Sequence, residues 1–394
     1  MNKELLVKAK SIEHKMVDYS KFLYLNAEVG FDLKACKGYI AQRLRDIGIE
    51  PFECGRCGIG ALIKGSGEGR TVLLRADADA LMGIDPRGKN KAMHACGHHF
   101  HTAMLLGAAE ILNTTRSFSG NVKLMIQGAE EILEGAKDMI ENGILEDPRP
   151  DAAMMVHVMT AVDIKVGGIV VSSGGVSAPA ADFFRITVSG RAAHGALSHQ
   201  GVDAISAAAY ILVALNEIKA REISINDAAH LTVGKISGGE AANALPSRVV
   251  LEGSLRAFDD EVRELVKRRL SEISTGVASA FRAEASVEFL SGCPCLKNDA
   301  HLSDICYNAL LDLFGGDYVW LSSTFGERLS GGSEDFAYVS QSVPSVMIGI
   351  CAGSKRDGYE FPLHNPAVRF DERALTFGAA AYAAFALAFL GEKE

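Results

Sequence analysis

Four of the eleven histidines in this 394-residue chain fall within eight positions, His94-Ala95-Cys96-Gly97-His98-His99-Phe100-His101. Cys96 and His98 flank one glycine, so a bent loop can aim a thiolate and an imidazole at a single metal ion. That pair suits zinc or a metal of similar borderline character. The competing reading is a helix start carrying surface histidines, because helical periodicity begins at Thr102. Metal-compatible residues recur elsewhere. The strand-like run Thr71–Arg75 leads into Asp77-Ala78-Asp79, Asn121–Gln127 leads into Glu130-Glu131, and Asp151–Val156 ends at His157. Open α/β sheets hold ligands outside the carboxyl ends of their strands. One acidic pair alone reads equally well as charge at a helix start. Three such strand ends beside a Cys-His loop favour one common site.

Strands and helices must alternate to position these residues. The first fifty residues read as two helices broken near Glu28-Val29-Gly30, and glycines at 55, 58 and 60 mark a turn-rich stretch. A further strand is expected at Ser345–Ile350, with helices at Thr102–Asn113, Gly135–Asn142 and Glu372–Leu390. The fold class is α/β: a catalytic domain of α/β/α layers around a mixed sheet. The middle third differs. Strands at Asp182–Ser189, His230–Ile236, Ser247–Phe258 and Ala285–Leu290 alternate with helices at Val202–Arg221 and Asp260–Phe281. This β-α-β-β-α-β order is ferredoxin-like and can close on itself. Ser172–Gly175 and Ser291–Pro294 read as hinges. The expected organisation is a metal-binding domain in two parts, 1–178 and 292–394, with a small domain inserted at 179–291.

Composition excludes several classes. The 40 Lys+Arg against 49 Asp+Glu give a net charge of -9, whereas an electrostatic nucleic-acid binder needs a basic surplus. The longest apolar stretch, Phe377–Leu390, is mostly alanine and too short to span a bilayer. The charged amino terminus does not read as a signal peptide, and the eight cysteines read as thiols in a reducing compartment. A cytoplasmic protein with no nucleic-acid or membrane partner is expected. The pairs Cys54/Cys57 and Cys293/Cys295 lie too far apart for a structural zinc and read as loop thiols. Gly65–Gly69 lacks the Lys-Ser/Thr of a phosphate loop, and no nucleophile elbow surrounds Ser333. His14 and His301 read as surface residues; His101 and His199 are candidates for orienting a ligand from behind.

RADADAL (75–81), MHACGHHFHTAMLLGAAEIL (93–112), IQGAEE (126–131), VHV (156–158), GGSEDFA (331–337) and LHNPAVRFDERAL (363–375) occur in this order. Together they resemble the landmarks of the dinuclear metallopeptidases. The resemblance is strongest to the amidohydrolase branch holding hippurate hydrolase, N-acyl-amino-acid amidohydrolases and indoleacetyl-amino-acid hydrolases. It implies that Cys96, His98, Glu131, His157 and His364 ligate two divalent metal ions, drawn from zinc, manganese, cobalt and nickel. Cys96 takes the bridging place that a carboxylate holds in related branches. Glu130 is implied as general base, and Asp79 as the acid that orients a ligand. Asp77 stands where other branches use a histidine ligand and is left out of the set. In the inserted domain His194, Asn243 and Arg256 match polar residues that meet the substrate.

The resemblance further implies that the two-part domain is catalytic and that the inserted one is a lid and dimerisation domain, forming a homodimer in which His194 reaches the partner's site to stabilise the oxyanion. The expected reaction is hydrolysis of the amide bond of small N-acyl- or aminoacyl-amino acids bearing a free carboxylate. A dipeptidase or carboxypeptidase on the same scaffold, or a silent metal-binding module, are the alternatives. The chain departs from the branch at His99, where an aspartate is usual, at Met82 in place of a proline, and at Met159-Thr160 in place of Trp-Pro.

Overall fold

Four parallel strands bring their carboxyl ends to one edge of a large sheet, and the metal-compatible residues gather there. The computed structural model describes residues 2–84, 90–325 and 332–392, so Gly331 of the GGSEDFA landmark lies outside the described residues. These residues form two compact units. One comprises 2–177, 297–325 and 334–392, and the other 178–296 with 332–333.

The first unit is built on eight strands. Pro51–Cys54, Gly58–Lys64, Ser119–Gln127, Gly67–Asp77, Ala152–Val162, Ser345–Ser354, Ile169–Val171 and Val319–Leu321 lie side by side in that order. The third to sixth run parallel. Their neighbours on either side pair antiparallel, so the sheet is mixed. The central strands are buried on both faces, which is why VLL, LMI and AMMV read as continuous apolar runs. Register sets the site: Asp77 stands beside Gln127, and Arg75 beside Met155. Beyond those pairs lie Asp79, Glu130 and Glu131.

His157 does not end its strand as expected. The strand continues to Val162, because its pairing with Ser345–Ser354 carries on through Val158 beside Ile350. The first fifty residues hold three helices, Asn2–Ser11, Glu13–Leu25 and Lys34–Asp46. The first two are parted where the Ser11 hydroxyl bonds back to the Lys8 carbonyl, 2.7 Å away. Arg373–Gly391 is longer than the apolar stretch within it, and its length and composition would suffice to cross a bilayer. It is instead a core helix, with Tyr382 and Phe385 fully buried against the sheet and neighbouring helices. Cys54 and Cys293 close strands rather than sitting in loops, and both are buried, as are Cys57 and Cys295.

In the second unit four antiparallel strands lie in the order Ala229–Gly238, Arg248–Ala257, Ala180–Ser189, Glu284–Cys293. Helices Ala204–Ala214 and Asp260–Ala280 cover the sheet. The first of these stops well short of Arg221, and a single wide turn at Ile218–Glu222 follows it. Asp259 caps the second by accepting from the amides of Glu261 and Val262. The hinge expected at Ser291–Pro294 is largely strand, since Ser291, Gly292 and Cys293 pair with Phe183, Asp182 and Ala181. At the other expected hinge the amides of Ser172 and Ser173 donate to the Met347 carbonyl and the Ser322 hydroxyl. Phe184 lies fully buried between this sheet and its helices. Phe184→Ala should destabilise the protein by about 3–5 kcal/mol, measured by urea unfolding.

Candidate metal centre

Each candidate donor reaches the sheet edge by its own local device. Gly97 adopts a left-handed φ of +95° and the helix His98–Thr115 begins at once, which bends Cys96 and His98 toward the same point. A Cβ on Gly97 would stand 2.3 Å from Val158 Cγ2, so only glycine fits there. Glu130 and Glu131 occupy a tight turn bracketed by Ala129 at φ +57° and Leu133 at φ +58°. His364 is itself at φ +66°, its amide donating to the Ala95 carbonyl at 2.8 Å. Such backbone survives only where its surroundings dictate it, and it concentrates at functional sites.

The Cys96 sulfur is the hub. It lies 3.6 Å from His157 Nε2 and 3.3 Å from His364 Nε2. The ligand atoms of Cys96, His98 and His157 all lie within 4.8 Å of one another, as do those of Cys96, Glu131 and His364. Each triad could hold one cation, with the sulfur common to both. Glu131 Oε1 stands 3.6 Å from His98 Nε2, and Glu130 Oε2 stands 3.8 Å from the same nitrogen. Asp79 sets the ring: its carbonyl lies 2.9 Å from His98 Nδ1, turning Nε2 to the cluster, and its carboxylate accepts from the Glu131 amide. His157 Nδ1 is likewise held by the Val158 carbonyl at 2.8 Å.

The electrostatics are those of a cation site. Burial alone would raise the Cys96 thiol, yet the facing imidazoles of His157 and His98 hold it well below its usual range. Burial would lower the His157 imidazole, but the Cys96 sulfur carries it up to about 9. Burial, then the Glu334 and Glu131 carboxylates, push Glu130 well above the usual carboxylate range. Burial also carries Glu131 up to about 8, with the Cys96 sulfur adding to the rise. Two atoms facing this cluster, His98 Nε2 and Glu131 Oε1, are buried with no hydrogen-bond partner among the described residues. Buried polar atoms are normally satisfied. Carboxylate, imidazole and thiolate converging in this way fit divalent cations.

All five candidate ligands, with Glu130 and Asp79, are therefore brought together. Residues without an assigned role surround them. The fully buried Arg75 guanidinium bonds Gln127, Asp77, Asp335 and Glu334 at 2.8–2.9 Å. Arg75, Asp77, Glu334 and Asp335 all lie inside quoted landmarks, but acid and base alternation on a strand gives no sign of such a network. His94 and His99 face each other at 5.0 Å, apart from the donor triads, and burial drives His94 down to about 3. His199 is exposed in the second unit.

In that unit the three candidate substrate contacts divide. The pair Ala193–His194 is hydrogen-bonded to Ala244–Leu245, and the Gly195 amide donates to the Asn243 carbonyl, so His194 and Asn243 share one exposed corner. His194 Nδ1 accepts from the Ala196 amide at 3.1 Å, which leaves Nε2 to carry a proton outward. Arg256 is elsewhere. It pairs with Ala181 near the entry of the chain into the unit, whereas the His194 corner lies beyond Ser189 and Arg248. Eight residues of strand separate Arg256 from Arg248, about 26 Å at the usual rise. Burial lowers the half-buried Arg256 guanidinium, which lies over the Phe183 ring.

The model of peptidase family M20/M25/M40 matches residues 73–388. The chain belongs to this family. As a member, it is a hydrolase of carbon–nitrogen bonds. It is 36% identical over 381 residues to an N-acetyl-L-cysteine deacetylase of Bacillus subtilis, covering 94% of this chain and 86% of that one. It is 31% identical to a hippurate hydrolase of Campylobacter jejuni, covering 93% and 94%. A crystal structure of a dinuclear metal binding M20 peptidase from Bacillus subtilis superposes with a TM-score of 0.76 at 27% identity, covering 97% and 99%.

Gly97 gives this family member a test of its loop. Gly143 also has a positive φ, but nothing lies within 4 Å of where its Cβ would stand. Gly97→Ala should cost roughly 1–3 kcal/mol more than Gly143→Ala in thermal or urea unfolding, the difference measuring the clash with Val158.

Proposed function

We propose that this chain is a two-metal amidohydrolase cleaving the amide bond of small N-acyl-amino acids. The observation that carries the reading is the Cys96 sulfur shared by two donor triads, beside a buried carboxylate that belongs to neither. Cys96, His98 and His157 would hold one cation, and Cys96, Glu131 and His364 the other. Two divalent ions so placed supply the positive charge that acidifies a water and polarises a carbonyl. The thiolate and imidazoles suit zinc, cobalt or nickel, and the carboxylate admits the harder manganese as well. Glu130 is the general base: its carboxylate takes a proton from the attacking water and returns it to the leaving amide nitrogen. Asp79 acts behind His98, fixing the ring that faces the cation.

The substrate class draws on two relatives whose names give N-acetyl-L-cysteine and hippurate, both N-acylated amino acids with a free carboxylate. Arg256 is the group for that carboxylate, since a guanidinium receives it with two parallel hydrogen bonds. His194 and Asn243 act together from a second copy of the chain, His194 donating from Nε2 to the oxyanion. Support for a homodimer lies in the second unit. Its edge strand Ala229–Gly238 has a neighbour on one side only among the described residues. The helix Ala204–Ala214, which packs on the neighbouring strand Arg248–Ala257, exposes Ile205, Tyr210, Leu212 and Val213. An open strand edge next to an apolar helix face is a ready surface for a second copy. The eight cysteines read as thiols, which supports a reducing cytoplasm.

Assay of metal-loaded protein on N-acyl-amino acids beside dipeptides tests the reaction; turnover of dipeptides alone would overturn the substrate class. Glu130→Gln should keep both ions and lose about 10²–10⁴-fold in kcat. Glu131→Gln should lose one ion, and Cys96→Ala both, by elemental analysis. Subunit exchange tests the dimer. Inactive His194→Ala mixed with inactive Glu130→Gln should regain up to half the activity per dimer, because one site then holds both intact groups. No recovery despite proven exchange would place His194 in its own subunit's site.

A further inference from the structure

The strand Ala152–Val162 loses its partner on one side at the point where it delivers His157. Its ladder with Gly67–Asp77 ends at Arg75 beside Met155. Past that pair the alternate amides of Val156 and Val158 would be left open on that side. Two side chains take them. Val156 donates to the Tyr382 hydroxyl at 3.0 Å, and Val158 donates to His101 Nε2 at 2.9 Å. A backbone amide can only donate, so His101 Nε2 is an acceptor and the ring proton sits on Nδ1. That proton points at Asp77 Oδ1, 2.6 Å away, while Asp77 Oδ2 is held by Arg75 at 2.8 Å. Every group in this chain is fully buried, and the far end of Val158 accepts from His157 Nδ1.

We infer that His101, held by Asp77 and Arg75, is a positioning residue that fixes Val158 and through it aims His157 Nε2 at the cation. The inference rests on the two-metal reading and extends it to a residue that touches neither ion nor substrate. The His101 and His157 rings also meet edge to face, with centroids 4.5 Å apart, but the directional hydrogen-bonded link runs through the strand. One end of Val158 is pinned by His101 and the other pins His157, so the backbone angles of one residue decide where a ligand nitrogen stands. Groups that orient ligands in this way are often worth about 10–100-fold in metal affinity.

Two variants separate positioning from packing, because each keeps one of the two bonds made by His101. His101→Gln places an oxygen where Nε2 was and keeps the Val158 link. His101→Asn places an amide where Nδ1 was and keeps the Asp77 link. Both should lower the melting temperature of metal-free protein alike. In calorimetric titration of manganese into metal-free protein, His101→Asn should weaken one binding step about 10–100-fold and His101→Gln should stay near wild type. Equal binding by the two variants would overturn the inference, as would a wild-type protein that takes up no manganese. Nitrogen NMR of the wild-type histidine rings needs no variant: the proton should be found on Nδ1 of His101, and a proton on Nε2 would overturn it. If the variants split as expected but no amide is hydrolysed, the amidohydrolase reading falls while the positioning role stands.

Discussion

One fully buried positive charge makes the centre possible. Six acidic side chains and a thiol crowd one sheet edge, and carboxylates packed out of water repel one another strongly. The Arg75 guanidinium lies among them with no solvent exposure, and it contacts Asp77 two residues on and groups from two distant stretches of chain. Burial would weaken its charge, but Glu334, Asp77 and Asp335 hold it raised. Removing one partner from a buried ionic network leaves the others unpaired, commonly at several kcal/mol. The network is therefore a specification as much as a support. It fixes Asp77 toward His101 and carries Asp335 to the Ala136 amide and Gln127, closing the turn that bears Glu130. Arg75 offsets part of the negative charge only, and the remaining excess is what invites cations between Cys96, Glu131 and the imidazoles.

Much of this was legible in the sequence. The Cys-Gly-His spacing pointed to a bent loop, and Gly97 bends it with the left-handed backbone such a loop requires. Strand runs ending in acids pointed to one edge, and the parallel register puts Asp77 and Gln127 side by side there. His157 reads as a strand end, yet its strand runs on to Val162, because periodicity does not reveal that pairing with Ser345–Ser354 continues past it. The Arg75 network was not legible. A charged residue inside an apolar strand reads locally as a strand end, and its partners Glu334 and Asp335 lie some 260 residues away. The positive φ of His364 was hidden for a related reason: left-handed backbone at a non-glycine residue is imposed by tertiary contacts, here the bond to Ala95.

The second unit shows why a list of polar residues is not yet a site. His194, Asn243 and Arg256 all read as substrate contacts, yet a sheet strand is stiff and sets two of them at one end and the third at the other. A small amino-acid derivative spans far less than the roughly 26 Å between those ends. No single copy of this unit can close both ends of its sheet on one such molecule. Two copies can, if the open edge strands meet and each presents its His194 corner toward the Arg256 end of the other. Two-fold pairing makes such an exchange reciprocal, because whatever one copy gives the other it also receives. On this reading the exposed apolar face of Ala204–Ala214 and the unpaired edge of Ala229–Gly238 serve catalysis as well as assembly. In the proposed homodimer they would set the distance between two half-sites that the fold of one chain keeps apart.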